Sequence, residues 1–284
     1  MLKEEEFNMS CFYNGMEEII RKNWSDFRAA LANREFSFDE VEKAKSYTFL
    51  KTYDDLFYQN SGIKHKTIRV KDLEGLLVGR GTILSEKEVP DYGRFIPKSE
   101  FIKKDNRFSP SGVEWLYLAL GNEADIHECA QAECRAKKGD RFGFCHFSFL
   151  ENSLDLKLVD LTVVNNISYD DLRLDSFFEG YTKKQLHDGK KFVNIRVEMK
   201  EIITKWGAYL YTKLLSEQIF KPLSDKDDKE LMYAPFQTMS QYYISLGYSG
   251  IIYGSTVSNL GRNIVLFDKN VAHPIGIIED YVLK

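Results

Sequence analysis

The sequence predicts an α+β protein, with a small helical domain at residues 1–65 followed by a larger mixed domain at residues 66–284. Residues 1–60 lack proline and contain Gly15 as their single glycine, which is typical of a helical segment. Beyond residue 65, strand and helix patterns follow each other without regular alternation. This irregular order favours α+β over a doubly wound α/β sheet.

The composition fits a soluble globular protein and disfavours several functional classes. Of the 284 residues, 43% are apolar and 29% are charged, and acidic and basic residues are intermixed around a net charge of −4. This balance disfavours a nucleic-acid binder, which usually carries a basic stripe. The acidic start predicts no signal peptide, and no apolar run is long enough to span a membrane. Four cysteines without a framework spacing predict reduced thiols in a cytoplasmic protein.

Two or three helices are predicted in the N-terminal domain. The first has apolar residues three and four apart, the pattern of one buried helix face. These positions are Met16, Ile19, Ile20, Trp24, Phe27 and Leu31. Ser37 and Glu40 have the spacing of a capping box, which predicts a helix from Asp39 to about Tyr58. Residues 60–62 then mark the end of the domain.

The larger domain opens with predicted strands at Leu76–Ile83 and Trp115–Leu120. The polar excursion between them, residues 85–113, is long enough to suggest a functional or disordered loop. Asn122 is predicted to cap a helix that ends in a basic turn before Gly139.

The remaining elements are also of mixed type. They are strands at residues 142–150 and 154–158, helices at 170–188 and 192–217, a helix starting near Tyr233, a strand leading to Ser255 and a strand at 263–267. Gly207 is predicted to break the second of the two long helices.

Histidines and cysteines are clustered between residues 127 and 146. They are His127, Cys129, Cys134, Cys145 and His146. Cys129 and Cys134 are five residues apart on a predicted helix, hence about 140° apart around its axis. Because the ligands of a tetrahedral zinc ion must converge on one point, this spacing argues against a zinc site. We therefore predict no bound metal.

Five other polar residues are candidates for a ligand site: Arg80, Arg107, Tyr117, Glu128 and Ser255. Arg80 lies between two glycines at a strand end, where its donors suit a diphosphate, although a structural salt bridge explains it equally. Tyr117 lies in an apolar strand and fits a core position. Glu128 falls away from the apolar side of its helix, which alone predicts a solvated side chain. Ser255 lies in a glycine-containing loop that a ligand can approach closely.

Together these segments resemble the RES-domain family, named for an Arg, a Glu and a Ser. The matching positions, in chain order, are Arg80, Arg107–Gly112, Tyr117, Glu128, Tyr233, Pro235, Gln237 and Gly247–Ser255. Glu128 follows Tyr117 by eleven residues, as in the family. The resemblance covers about residues 70–270. Gly81 departs from the family pattern, since an aromatic residue is common there.

This resemblance implies a fold similar to ADP-ribosylating toxins, an ADP-ribosyltransferase-like split β-sandwich with flanking helices. NAD is then expected as the substrate, in a cleft between two small sheets. RES proteins are typically toxins of bacterial toxin–antitoxin pairs, and they deplete NAD by hydrolysis or phosphorolysis of the nicotinamide–ribose bond. A protein antitoxin or a second copy of the chain is the expected partner, and the helical domain resembles an addition found in some larger members.

The resemblance also implies roles for the candidate residues. Glu128 is expected to stabilise the positive charge that develops on the ribose. Arg80 and Arg107 are expected to bind phosphates. Tyr117 is expected to pack against nicotinamide or orient the ribose, and Ser255 to hydrogen-bond the substrate. Two alternatives stay open: transfer of ADP-ribose to a macromolecule, and a non-catalytic NAD-binding or immunity module.

Overall fold

The computed structural model of the chain describes residues 9–56, 67–187, 195–220, 229–255 and 261–284. These residues form seven helices and an eight-stranded mixed sheet, which confirms the predicted α+β class. They divide into two compact units. Within the described ranges, no helix has both the length and the apolar character that a membrane crossing requires.

The secondary-structure elements follow each other in mixed order along the chain. The helices are α1 (Met9–Ala32), α2 (Val41–Ala44), α3 (Thr48–Asp54), α4 (Glu123–Glu133), α5 (Leu174–His187), α6 (Ile195–Phe220) and α7 (Lys229–Ser245). The strands are β1 (Thr67–Arg69), β2 (Leu77–Ile83), β3 (Leu116–Gly121), β4 (Arg141–Phe149), β5 (Lys157–Asp160), β6 (Gly250–Gly254), β7 (Arg262–Leu266) and β8 (Ala272–Val282). The predicted excursion before β3 contains two short 3₁₀ turns, Tyr92–Arg94 and Ser99–Phe101.

The helical unit is discontinuous, and this differs from the predicted domain of residues 1–65. It comprises the described parts of residues 1–36, 42–65 and 163–218, so α5 and most of α6 belong to it. Its core is aromatic, with the ring of Phe49 4.8 Å from that of Trp24 and 5.6 Å from that of Tyr211 on α6. A domain boundary predicted from the order of residues misses the contribution of residues 163–218 to this unit, because contacts between distant segments leave no local signal in the sequence.

Two local predictions in this unit and at its border have different outcomes. One half of the predicted capping box is present, since the Ser37 backbone N–H donates to Glu40 Oε2 at 2.7 Å, but Ser37 Oγ donates to Asp39 and the pair forms a turn ahead of α2. The helical segment after it is divided into α2 and α3, and the predicted end at Tyr58 lies outside the described residues. The predicted break at Gly207 is wrong, because α6 runs through it. One glycine costs a helix only about 1 kcal/mol, which packing of the surrounding turns offsets.

The second unit contains the whole sheet, in the order β1-β5-β6-β7-β3-β2-β4-β8. Only β5 and β6 pair in parallel among the described strands. Helix α4 covers one face, where Ile126 and Ala130 pack with Phe142 and Phe144 of β4. The opposite face carries a larger apolar cluster that includes Cys145.

The sheet divides between β2 and β3. These strands pair at three positions only, ending at Gly79 opposite Ala119. Beyond this point β2 continues along β4 to Ile83, while β3 runs along β7 back to Leu116. We call this divergence the strand fork. It separates a five-stranded half from a three-stranded half and opens a gap beside Arg80.

Candidate functional site

A cavity of about 220 Å³ lies at the strand fork. Both diverging strands contribute to it, and helix α4 supplies one wall. Its lining residues are Gly79, Arg80, Gly81, Asn106, Tyr117, Leu118, Ala119, Ala130, Glu133, Cys134, Tyr253 and Asn263. The cavity therefore contains two of the predicted site residues, Arg80 and Tyr117.

Strand register explains why residues far apart in sequence meet here. Tyr253 of β6 lies opposite Asn263 of β7, which lies opposite Ala119 of β3, which lies opposite Gly79 of β2. Directly opposed residues of antiparallel strands project from the same face of the sheet. This row consequently forms one floor across four strands, and it ends at the fork.

Arg80 brings an unsatisfied cation into the cavity. Its Nη1 atom is buried and has no hydrogen-bond partner within the described residues. Burial lowers the pKa of the Arg80 guanidinium below its ordinary value, because the charged form loses solvation. Nearly all buried donors in folded proteins are paired, so an unpaired guanidinium nitrogen indicates space for an acceptor. An anion is the acceptor that such a group binds most strongly.

Arg107 repeats this feature next to the cavity. Its Nη1 atom is also buried and unpartnered within the described residues, and its guanidinium lies 5.9 Å from the ring centre of Tyr233 on α7. Gln237, also on α7, is buried and donates from Nε2 to Asp105 Oδ2 at 3.2 Å and to the Asn106 carbonyl at 3.3 Å. Gln237 therefore anchors the loop that carries Arg107. The Pro and Gln matched at this helix by the resemblance lie inside α7 rather than at its start.

Tyr117 presents a protonated phenol to the cavity. Its Oη lies 2.9 Å from Ser109 Oγ. Burial raises the pKa of Tyr117 well above its ordinary value, although the nearby charges of Arg80 and Arg107 oppose this shift. The group thus remains a neutral hydrogen-bonding hydroxyl across the physiological pH range.

Glu133 is the carboxylate of the cavity. Its Oε1 accepts a hydrogen bond from Asn263 Nδ2 at 2.6 Å and another from Ser255 Oγ at 2.9 Å. Two donors on one oxygen fix the orientation of the group. Neither Glu133 nor Arg80 forms an ion pair within the described residues, although both line the same cavity. A cation and a carboxylate are therefore presented together without neutralising each other.

Glu128, the predicted catalytic carboxylate, does not line the cavity. It lies on the exposed side of α4, five residues before Glu133 and so about 140° away around the helix. The buried side of α4 is marked by Ile126 and Ala130. Glu133 is three residues beyond Ala130 and shares its face. The same helix-wheel argument that placed Glu128 in solvent would have identified Glu133 as a polar residue on the face of α4 that packs on the sheet, although its side chain is exposed at the end of the helix.

Ser255 contacts the site through Glu133 rather than by lining the cavity. It follows β6, and its backbone N–H donates to the Gly261 carbonyl at 2.8 Å. The loop predicted to admit a ligand, residues 256–260, lies outside the described residues.

Several lining residues had no signal in the sequence. Tyr253 and Asn263 lie in apolar strands and become neighbours only through the pairing of β6 with β7. Asn106 lies in the long excursion, where no pattern separates it from other polar residues. These positions depend on strand pairing and loop path, which one unaligned sequence does not reveal.

The cysteines and histidines of residues 127–146 divide into two groups. The thiols point apart: Cys129 Sγ lies 3.3 Å from Asn263 Oδ1, whereas Cys145 belongs to the cluster on the opposite sheet face. Burial raises the pKa of the Cys134 thiol to about 11. The two histidines, in contrast, converge with Glu123 and Glu279.

Comparison of the chain with protein-family models, with curated proteins and with solved structures gave no match in any of the three. Its function is therefore inferred from the groups that the cavity presents.

Proposed function

We propose that this protein binds NAD at the strand fork and cleaves its nicotinamide–ribose bond. The observation that carries the proposal is the buried, unpartnered Arg80 Nη1 in the same cavity as a carboxylate held by two donors. The cavity thus offers a group for an anion and a group for a developing cation. The resemblance of the chain to RES-domain proteins, which act on NAD, supports the same substrate.

The chemistry of NAD cleavage requires both groups. As the bond between the ribose C1″ and the nicotinamide nitrogen breaks, its electron pair leaves with nicotinamide and the ribose acquires oxocarbenium character. A carboxylate fixed before the reaction stabilises this charge without reorganising. Glu133 has that property, because Asn263 and Ser255 hold it. Water attack then gives ADP-ribose and a proton, and phosphate attack gives ADP-ribose 1″-phosphate.

The size of the cavity limits which part of NAD it encloses. Pockets for whole drug-sized ligands have volumes of about 300–1,000 Å³. The cavity of about 220 Å³ is smaller and suits the nicotinamide ring with its ribose. The diphosphate would then lie between Arg80 and Arg107, whose Nη1 atoms are the two unpartnered guanidinium donors among the described residues. Tyr117 would contact the ring or the ribose from the cavity wall.

The division of the sheet supports an ADP-ribosyltransferase-like fold for this unit. That fold holds NAD between two small sheets, and here the cavity lies where the two halves of one sheet separate. A toxin role with a neutralising partner follows from the resemblance alone and is part of the same proposal.

The proposal is tested with the purified chain, NAD, and buffers with and without inorganic phosphate. Chromatography is expected to show nicotinamide with ADP-ribose in the buffer without phosphate, and nicotinamide with ADP-ribose or its 1″-phosphate in the buffer with phosphate. A Glu133→Gln preparation made in parallel controls for contaminating activity. Label from NAD appearing on lysate protein or nucleic acid would indicate transfer instead of degradation. Calorimetric NAD binding without products would indicate a non-catalytic module, and neither binding nor products would overturn the proposal.

A further inference from the structure

Four side chains of the sheet unit bring potential metal ligands to one point at the other end of α4. They are Glu123 and His127 of α4, His146 of β4 and Glu279 of β8, which we call the His–Glu cluster. One ligand atom from each lies within 4.8 Å of all the others. We propose that the His–Glu cluster binds a zinc ion, independently of the NAD cleavage proposed above.

Four of the six distances between the ligand atoms are close to those of a tetrahedral zinc site. His127 Nε2 is 3.1 Å from Glu123 Oε1 and 3.4 Å from Glu279 Oε1. His146 Nε2 is 3.3 Å and 3.8 Å from the same two oxygens. Zinc bonds of about 2.0–2.2 Å in tetrahedral geometry put neighbouring ligand atoms about 3.3–3.6 Å apart. These four separations bracket this range, and the other two do not exceed 4.8 Å, so adjustments of the side chains complete the site.

Local structure explains this convergence. Glu123 and His127 are four residues apart and therefore share one face of α4. In β8 the pairing with β4 is irregular: Ile275 lies opposite His146, yet Glu279 lies opposite Phe144. A bulge therefore places extra residues in β8, with Gly276 at a φ of 73° where other residues are strained. Such bulges re-aim side chains, here carrying Glu279 toward the histidines.

Neighbouring groups orient the His127 ring for ligation. It stacks on Phe144 with ring centres 3.8 Å apart, and its Nδ1 lies 3.4 Å from Tyr281 Oη. Gln131 Nε2 donates to the same Tyr281 oxygen at 3.0 Å. With its proton on Nδ1, the ring donates to Tyr281 and leaves the Nε2 lone pair for the metal. A histidine ligand held through its other nitrogen is the usual arrangement in metal sites.

The donor set favours zinc over other cations. Two imidazole nitrogens exclude the all-oxygen coordination that Mg²⁺ and Ca²⁺ prefer, and four converging ligands suit the tetrahedral preference of Zn²⁺. Two carboxylates also match the charge of a divalent ion. The histidine side chains are 19% and 25% exposed and those of Glu123 and Glu279 are 59% and 39% exposed, so the site lies at the surface and is open to an entering ion. Four protein ligands leave no open position, which assigns the ion a structural role that joins α4 to β4 and β8.

The test is zinc titration of the full chain after removal of metals by a chelator. One zinc per chain is expected by calorimetry, and Co²⁺ is expected to give the intense visible absorption of a four-coordinate ion. His146→Ala should reduce zinc affinity at least 100-fold. His273→Ala, which removes an exposed histidine elsewhere on β8, should leave it unchanged.

Zinc should also raise the Tm of the parental chain in a concentration-dependent manner, because it binds the folded state. This rise should be absent in His146→Ala. If that variant does not fold, Glu279→Gln removes one charged ligand with little change in shape and serves the same test. No stoichiometric zinc uptake by the parental chain, or equal uptake by His146→Ala or Glu279→Gln, would show that the cluster is only an ion-pair network and would overturn the proposal. Tighter binding of Mg²⁺ or Ca²⁺ than of zinc would do the same.

Discussion

The two ends of α4 hold charged groups in opposite states. At its start, Glu123 and His127 belong to the His–Glu cluster, in which one oxygen of each carboxylate lies within 3.8 Å of both imidazole nitrogens. At its end, Glu133 shares a cavity with Arg80, and no ion pair joins them within the described residues. Helix α4 thus contributes to one group of side chains that contact each other and to a second site in which a carboxylate and an arginine remain unpaired with each other.

This difference separates two kinds of site. Side chains that already contact one another can hold a small ion at their centre with little rearrangement. A buried donor without a partner instead indicates a larger acceptor, because its desolvation is compensated only when that acceptor binds. The predictions below test whether the two ends of α4 act separately, and they run from the largest expected effect to the smallest.

The first prediction concerns which carboxylate of α4 acts on NAD. Glu133→Gln should lower the rate of NAD cleavage about 100- to 1,000-fold, the usual loss when one fixed electrostatic group is removed from a site. Glu128→Gln should leave the rate unchanged, because Glu128 lies outside the cavity. Initial rates of nicotinamide release at saturating NAD provide the measurement. The reverse result, a loss in Glu128→Gln alone, would favour the position matched by the family resemblance.

The second prediction uses the Cys134 thiol as a probe of the cavity. Burial raises its pKa from 9.0 to about 11, so below pH 9 the folded chain has about 100-fold less thiolate than an unfolded one. Iodoacetamide should therefore alkylate Cys134 about 100-fold more slowly in the native protein at pH 8 than in urea, as measured by mass spectrometry. Because the charge of Arg80 lowers this pKa, Arg80→Met should slow the reaction further. Native and unfolded protein reacting equally fast would contradict the enclosed position.

The raised thiol pKa also has a defined effect on stability. The folded state favours the protonated thiol, so the contribution of Cys134 is fully present below pH 9 and is lost as the pH rises toward 11. Cys134→Ala should reduce the loss of unfolding free energy over this interval. An unchanged pH profile in the variant would show that other groups determine the alkaline limit.

The third prediction concerns the effect of Arg80 on the stability of the folded chain. Arg80→Met should leave the free energy of unfolding unchanged or raise it by about 1–3 kcal/mol, because it removes a buried donor for which the described part of the chain offers no acceptor. Arg141→Met is the matched control. Arg141 donates to Asp280 and to the backbone carbonyls of Ser85, Glu86 and Glu88, so its loss should cost about 1–3 kcal/mol. Urea unfolding measures both. Equal destabilisation by the two variants would mean that Arg80 is satisfied in the folded protein.

The fourth prediction concerns Phe144, whose ring lies next to Gly79 of the cavity and against His127 of the His–Glu cluster. A Cβ on Gly79 would lie 2.3 Å from Phe144 Cζ, and the same ring stacks on His127. Gly79→Ala should therefore destabilise the chain by about 1–3 kcal/mol through overpacking. It should also weaken zinc binding by displacing the ring that supports His127. Unaltered stability and zinc affinity would indicate that Phe144 moves without consequence.

Gly180→Ala provides the opposite case. Gly180 lies in α5, and a Cβ there meets nothing within 4 Å. Alanine in a helix interior should stabilise the chain by about 0.5–1 kcal/mol relative to glycine. Urea unfolding of the two glycine variants side by side measures the contrast.

Local features of this fold could be predicted from the sequence. The start of α4 is confirmed, because Asn122 Oδ1 accepts from the Asp125 backbone N–H at 3.0 Å, which is a short-range interaction. The strand Leu76–Ile83 is likewise confirmed as β2, one residue shorter. Apolar periodicity and capping depend on residues a few positions apart, so one sequence contains the information.

Long-range features could not be predicted in this way. The strand fork depends on where β2 and β3 stop pairing, and the return of α6 to the N-terminal helices depends on packing between distant segments. The His–Glu cluster shows the same limit, since Glu279 lies far along the chain from the two histidines and no local pattern links it to them. Glu133 is different, because its position on the same face of α4 as Ala130 follows from the sequence. The spacing from Tyr117 in the family resemblance matches Glu128 instead.

At the strand fork, the backbone determines that a cavity exists, and the side chains determine its chemistry. A gap created by two diverging backbones does not depend on the side chains that line it, so most substitutions at its rim leave a cavity in place. Exchange of Arg80, Tyr117 or Glu133 changes what enters and what happens to it. A scaffold of this kind can acquire a new substrate through a few replacements while its core packing stays the same. The fork is therefore the part of this protein in which we expect natural variants to differ in specificity without differing in fold.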